Sequence, residues 1–257
     1  MPSIRLALAI LCAVWSTAAA AQSSTGAARV DVALVLTVDA SGSIDAAEFQ
    51  LQKEGIAGAV SDPEVLSTIQ SGRNGRIAIA YVEWGAPGAP KIVVDWMPVG
   101  DAASASAFGD AVLRAPRSIQ SYNAIGDAID LAVSLFGNCP CQPTRRIIDV
   151  SGDNPDNRSH HPGPLACDAA VAQGITINAL AILQDGRVGP SGKPWLVETY
   201  EQTIIGGFGA FAMAANSRAD FARALRDKMV LEISGAVPPR LEDLALNQWN
   251  HVVPRRR

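Results

Sequence analysis

Hydrophobic and polar residues change their spacing along the chain in a way that predicts alternating strands and helices. The run from Val32 to Val38 is mostly branched aliphatic and contains no turn residue, which is typical of a strand buried on both faces. Apolar side chains then recur at helical spacing behind Asp45, a favourable N-cap residue. The two patterns alternate to the end of the predicted domain, with strands at 76–84, 91–97, 145–150, 175–183 and 208–213, and helices at 45–60, 101–113, 124–136, 165–173, 195–202 and 217–231.

This alternation predicts an α/β fold with a doubly wound, mostly parallel central sheet and helices on both faces. The segment 85–90 is rich in glycine and proline, which favours a hairpin and therefore one antiparallel edge strand. We expect one domain over residues 30–235. The C-terminal tail, residues 236–257, either packs back on that domain or contacts a partner.

The first 21 residues are predicted to be a signal peptide. Arg5 supplies a positive charge, a short apolar run follows, and Ala19-Ala20-Ala21 forms a small-residue cleavage site. The apolar run is too short to span a bilayer comfortably. We therefore expect a mature protein without a transmembrane segment that is periplasmic or secreted.

The charge of the chain argues against a nucleic-acid partner. There are 21 basic and 25 acidic residues, for a formal net charge of −4. Binding to nucleic acid relies on a basic surface that neutralises phosphates, and no basic field of that kind is evident.

Export makes the cysteines candidates for disulfide formation. Once Cys12 is removed with the signal peptide, Cys139, Cys141 and Cys167 remain. The Cys139-Pro-Cys141 spacing is too short for a zinc knuckle, and no second pair accompanies it. We expect a disulfide between Cys167 and either Cys139 or Cys141, with one thiol left free.

Oxygen-bearing side chains occur at three predicted strand ends or helix starts. Asp39, Ser41 and Ser43 follow the first strand, Asn123 precedes a helix, and Asp153 follows a later strand. Such a cluster at the carboxyl ends of strands suits a hard divalent cation such as Mg²⁺, or Mn²⁺ or Ca²⁺ in its place. Taken alone, Asp-x-Ser-x-Ser is also common in turns and helix caps.

With further segments, this cluster makes the chain resemble a von Willebrand factor A (VWA) domain, and more closely an exported bacterial VWA-like family of unknown function. The matching segments are Leu34–Ser43, Ile77–Gly85, Ala124–Asp130, Thr144–Asp153, Gly174–Leu183 and Ile204–Phe211. The resemblance implies a metal-ion-dependent adhesion site, or MIDAS. In that site Ser41 and Ser43 would bind the cation directly, and Asp39 and Asp153 would bind it directly or through water.

Asn123 departs from the family pattern, which has threonine at this position. Two interpretations stay open at this point. The amide oxygen of Asn123 can bind a hard cation in an altered geometry. Alternatively, Asn123 caps the helix that starts at Ala124.

The resemblance implies a protein-binding module that is not an enzyme. The protein would fill part of the coordination sphere, and a Glu or Asp side chain of a protein partner would take the open position. One alternative is a Mg²⁺-dependent hydrolase that uses a metal-bound water, although no residue presents itself as a base or nucleophile. Another is a structural VWA-like domain whose metal site has degenerated at Asn123.

Overall fold

The computed structural model describes residues 27–42, 44–118 and 121–236. In these residues a six-stranded sheet has the order β3-β2-β1-β4-β5-β6, and only β2 and β3 pair in antiparallel fashion. The strands are β1 (Ala28–Asp39), β2 (Ile77–Trp84), β3 (Lys91–Val99), β4 (Cys141–Gly152), β5 (Thr176–Ile182) and β6 (Ala212–Ala215).

Helices cover both faces of this sheet. The helices are α1 (Ala46–Ser61), α2 (Pro63–Ser71), α3 (Ala102–Arg114), α4 (Ile125–Gly137), α5 (Gly163–Val171), α6 (Trp195–Thr203) and α7 (Phe221–Ser234). Helices α1, α2, α3 and α7 contribute to the hydrophobic core on one face, and α4, α5 and α6 to the core on the other. The predicted doubly wound α/β fold with one antiparallel edge strand is confirmed.

Local sequence signals explain several of these boundaries. Strand β1 lies in the middle of the sheet, where residues 32–38 are buried on both faces, as their unbroken aliphatic run predicts. Helix α1 begins after Asp45, whose Oδ1 accepts a hydrogen bond from the Glu48 amide at 2.8 Å. The Glu48 carboxylate in turn accepts one from the Asp45 amide at 3.1 Å. This reciprocal pair is a capping box and fixes the entry into α1.

Two elements differ from the sequence prediction. The last strand begins at Ala212 rather than Phe208. Gly207 and Gly209 adopt positive φ angles, which a regular strand does not use, and the Phe208 side chain is 96% exposed. Helix α2 was not predicted; it starts at a proline directly after Asp62, which caps it.

The predicted disulfide is wrong. Cys139 pairs with Cys141, with their Cα atoms 5.1 Å apart, and Cys167 is a buried free thiol. Cys139 lies in the short connection after α4, and Cys141 is the first residue of β4. Cys167 lies in α5, where its sulfur packs beside Gly206.

Several predictions fall outside the described residues, namely the signal peptide over 1–21, Ser43, and the tail beyond residue 236. Within the described ranges, no helix has both the length and the apolar character needed to cross a membrane.

Candidate metal centre

The three predicted ligand loops meet at the carboxyl edge of the sheet. Strands β1 and β4 are parallel neighbours, with Val38 opposite Ser151, so Asp39 and Asp153 leave the sheet at the same edge. The loop that carries Asn123 is tied to this edge, because the Asn157 amide, from the loop after Asp153, donates to the Asn123 carbonyl at 2.6 Å. The structure therefore brings the loops that carry Asp39, Asn123 and Asp153 to one edge of the sheet, and Ser43 lies outside the described residues.

Asp39 has one satisfied and one unsatisfied carboxylate oxygen. The Ser41 amide donates to Oδ1 at 2.7 Å, whereas Oδ2 is buried and has no hydrogen-bond partner. Burial, and then the charge of Asp153, raise the pKa of Asp39 to about 7. A buried carboxylate oxygen without a donor is costly, and a bound cation would offset that cost.

Asp153, by contrast, is held by three donors. Its side chain is fully buried. Oδ1 accepts from the Asn154 side chain at 2.7 Å, and Oδ2 accepts from Gln184 and Arg218 at 2.5 Å each. The orientation of this carboxylate is therefore fixed before any ligand binds.

Asn123 has a buried side-chain oxygen with no partner. Its backbone is clamped to Asn157, since the Asn123 amide also donates to the Asn157 side chain at 3.2 Å. The interpretation of Asn123 as the cap of α4 is wrong. Asp156 takes that role, because its Oδ1 accepts from the amides of Ile125 at 2.8 Å and Gly126 at 3.1 Å.

The turn after β1 is shaped by an arginine that the sequence pattern did not reveal. Arg117 donates from Nη2 to the carbonyls of Ala40, Ser41 and Ile44 at 3.1, 2.9 and 2.9 Å. Its neighbour Ser118 donates its amide to the buried Glu83 carboxylate at 2.7 Å. Together these contacts hold the backbone of the turn in place around the buried Ser41.

The residues present fit a hard divalent cation. Two buried oxygens without hydrogen-bond partners, Asp39 Oδ2 and Asn123 Oδ1, belong to loops at the same edge of the sheet as Asp153. Carboxylate, hydroxyl and amide oxygens are the ligands that Mg²⁺ and Ca²⁺ prefer. In the described ranges no three His, Cys, Asp or Glu side chains cluster as a metal site would, so this centre depends on hydroxyl and amide donors as well as its two carboxylates.

Sequence patterns did not identify two residues that contact Asp153. Gln184 and Arg218 follow β5 and β6 at the same carboxyl edge. Their position after parallel strands is the one sequence feature that could have indicated a place near the site. Asp127, in the first turn of α4, is buried. It accepts from the amides of Gly88 at 2.7 Å and His160 at 2.9 Å, and so joins two loops.

The strand order and the helices on both faces are those of a VWA-type α/β fold. Similar solved structures include von Willebrand factor type A from Catenulispora acidiphila, at 18% identity and a TM-score of 0.54 over 80% of this chain and 43% of that one. Proximal thread matrix protein 1 from the mussel byssus, described with a zinc-occupied MIDAS motif, shows 17% identity and a TM-score of 0.54 over 80% and 46%. The von Willebrand factor domain of the type V pili tip protein Mfa5 from Porphyromonas gingivalis shows 12% identity and a TM-score of 0.52 over 83% and 98%.

These identities establish a shared fold and nothing finer, and the chain spans less than half the length of the first two proteins. The chain belongs to the DUF1194 family, described as a protein of unknown function, whose family model matches residues 29–237. No curated protein matches the sequence.

Proposed function

We propose that this protein is an exported, metal-dependent binding module. A divalent cation, Mg²⁺ or in its place Mn²⁺ or Ca²⁺, would be held by Asp39, Ser41, Ser43, Asn123 and Asp153. The observation that carries the proposal is the pair of buried, unpartnered oxygens of Asp39 and Asn123 at the carboxyl edge of the sheet.

The proposed partner is a protein that offers a Glu or Asp side chain. Mg²⁺ takes near-octahedral oxygen coordination and is rarely enclosed by protein ligands alone. A cation at the outer edge of the sheet can therefore accept a further oxygen ligand from outside. A carboxylate is the side-chain oxygen ligand that carries the charge opposite to the cation.

We further propose that the domain binds without catalysing a reaction. One observation favours the hydrolase alternative, because a pKa of about 7 for Asp39 lies in the range of a general base. If Asp39 binds the cation, however, its free oxygen is no longer available to take a proton. Asp153 is already engaged by three donors.

Export to an oxidising compartment is supported by the Cys139–Cys141 disulfide, since such bonds persist mainly outside the cytosol. Similar folds occur in a pilus tip protein and in a byssal thread matrix protein. By analogy, we place the binding activity outside the cytosol.

The binding proposal is tested with an immobilised peptide that carries spaced Glu residues and a control peptide with Gln at the same positions. We expect the protein to bind the Glu peptide in millimolar Mg²⁺ and to release it in EDTA. We expect no binding to the Gln peptide. An Asp39→Asn variant should not bind. Equal binding to both peptides, or binding that EDTA leaves unchanged, would contradict a metal-bridged interaction.

A further inference from the structure

Arg218 is held rigidly in the connection between β6 and α7. It begins a short 3₁₀ helix, Arg218–Asp220, that Ser217 caps by accepting from the Asp220 amide at 3.3 Å. The Asp220 carboxylate accepts from the Asn216 amide at 3.0 Å. These bonds fix the backbone from which the Arg218 side chain enters the candidate metal centre.

The guanidinium of Arg218 is largely buried and bridges two carboxylates. Its Nη2 lies 2.5 Å from Asp153 Oδ2 and its Nε lies 2.9 Å from Glu48 Oε1, with 12% of the Arg218 side chain exposed. The third nitrogen, Nη1, is buried without a hydrogen-bond partner. A cation of the protein itself therefore contacts a candidate metal ligand.

The contact addresses an electrostatic problem in the metal-free site. Asp39 and Asp153 are both buried, at the carboxyl ends of the neighbouring strands β1 and β4. Two like charges in such a place repel strongly unless a cation or a proton compensates them. Arg218 compensates Asp153, and the second oxygen of Asp39 is left without a donor.

We propose that Arg218 is a built-in counter-cation of the metal centre, which lets the domain fold without metal and weakens divalent-cation binding. This inference rests on the proposed function. Because Arg218 contacts Asp153, the cation and the guanidinium would share that carboxylate when the metal binds. Their mutual repulsion then reduces affinity.

The test is isothermal titration of the folded domain with Mg²⁺, for the wild type and for Arg218→Gln, Arg218→Lys and Glu48→Gln. We expect Arg218→Gln to bind Mg²⁺ about tenfold more tightly, the size expected for removing a like charge from a partly solvated site. Arg218→Lys keeps the charge and should bind within about threefold of the wild type. Glu48→Gln removes a nearby negative charge and keeps the guanidinium on Asp153, so it should not bind more tightly.

Thermal unfolding in EDTA supplies the second readout. Arg218→Gln should melt at a lower temperature than the wild type and recover most of the loss in saturating Mg²⁺. A variant that folds only with Mg²⁺ would support the proposal in its strongest form. Failure of Arg218→Gln and Arg218→Lys to fold even in saturating Mg²⁺ would overturn it, because Arg218 would then be required by the fold itself.

The two proposals fail in distinguishable ways. If the wild type binds Mg²⁺ but Arg218→Gln binds equally or more weakly, Arg218 is a positioning residue for Asp153 and the counter-cation proposal is overturned. If neither the wild type nor Arg218→Gln binds a divalent cation, the metal-dependent function itself is overturned.

Discussion

Two pairs of buried acids show how differently this fold treats negative charge. In the core, Lys228 Nζ lies 2.7 Å from Asp149 Oδ2 and 2.5 Å from Glu232 Oε1, and all three side chains are at most 1% exposed. At the carboxyl edge, Arg218 forms an ion pair with Asp153 but none with Asp39, whose second oxygen has no donor. The core pair thus has an internal cation that serves both acids, whereas the edge pair has one that serves a single acid.

An unpartnered oxygen alone does not define a metal site. Glu232 Oε2 is also buried without a hydrogen-bond partner, yet Lys228 and the Asn178 side chain already contact the other oxygen of Glu232. Asp39 differs because it lies where three loops meet at the end of the sheet, together with the unpartnered oxygen of Asn123. The edge pair therefore differs from the core pair in its position at the end of the sheet and in the nearby unpartnered oxygen of Asn123.

The largest expected effect comes from removing the internal cation of the core pair. Lys228→Met leaves Asp149 and Glu232 buried without compensation, and we expect it to lower the free energy of unfolding by about 3–5 kcal/mol. Urea denaturation measures the change. The matched control is Lys193→Met, because the Lys193–Glu201 pair is partly exposed and should contribute less than about 1 kcal/mol. If both variants lose a similar free energy of unfolding, Lys228 does not compensate the buried charges of Asp149 and Glu232 as described.

In the absence of metal, Asp39→Asn should raise the free energy of unfolding, whereas Lys228→Met lowers it. Burial and Asp153 raise the pKa of Asp39 to about 7, so at pH 8 the folded protein carries an ionised carboxylate at a free-energy cost that the unfolded chain does not have. The neutral amide removes this cost, and we expect a gain of about 1–3 kcal/mol in EDTA at pH 8, with no gain below pH 4. Asp130→Asn, at an exposed position, should leave stability nearly unchanged. A destabilised Asp39→Asn protein at pH 8 would show that the carboxylate is satisfied without metal.

Asn123→Ala separates ligand binding from folding. Because Asn123 Oδ1 has no partner in the fold, its loss should change metal-free stability by less than about 0.5 kcal/mol. If the oxygen binds the cation, Mg²⁺ affinity should fall about tenfold, which corresponds to about 1.4 kcal/mol. Unchanged affinity would remove Asn123 from the ligand set, and Asn157→Ala tests whether the loop clamp alone matters.

The smallest expected effect is a change with pH in the stability of the protein, caused by Glu232 of the core pair. Burial raises the pKa of Glu232 to about 7, although Lys228 opposes the shift. An acid whose pKa is raised on folding contributes stability below its unfolded pKa and loses that contribution as pH rises through its folded pKa. Relative to the wild type, Glu232→Gln should therefore become more stable between pH 5 and 8, in EDTA and in Mg²⁺ alike. A difference between the two proteins that stays constant with pH would contradict this.

Most of the fold follows from local patterns in the sequence. The aliphatic run of β1 and the capping box at Asp45 depend on neighbouring residues, so pattern alone identifies them. The last strand was misplaced because the phenylalanines at 208 and 211 look strand-like, whereas Gly207 and Gly209 adopt conformations that a strand excludes.

The candidate site was predictable only in part. Asp39, Asn123 and Asp153 could be selected because strand ends of a parallel sheet meet at one edge. The roles of Asp156 and Arg218 depend on long-range contacts, which no local pattern encodes. Asp156 contacts Ile125 across a separation of 31 positions, and Arg218 contacts Asp153 across 65 positions. The free state of Cys167 was not predictable in the same way, because its burial in α5 is set by the packing of the fold.

The most direct test of the central claim is thermal unfolding of the wild type and Asp39→Asn in EDTA and in millimolar Mg²⁺. A ligand that binds only the folded state raises the melting temperature by mass action. We predict that Mg²⁺ raises the melting temperature of the wild type and leaves that of Asp39→Asn unchanged. An equal response of both proteins, or no response of the wild type to Mg²⁺, Mn²⁺ or Ca²⁺, would contradict a metal centre at the carboxyl edge of this sheet.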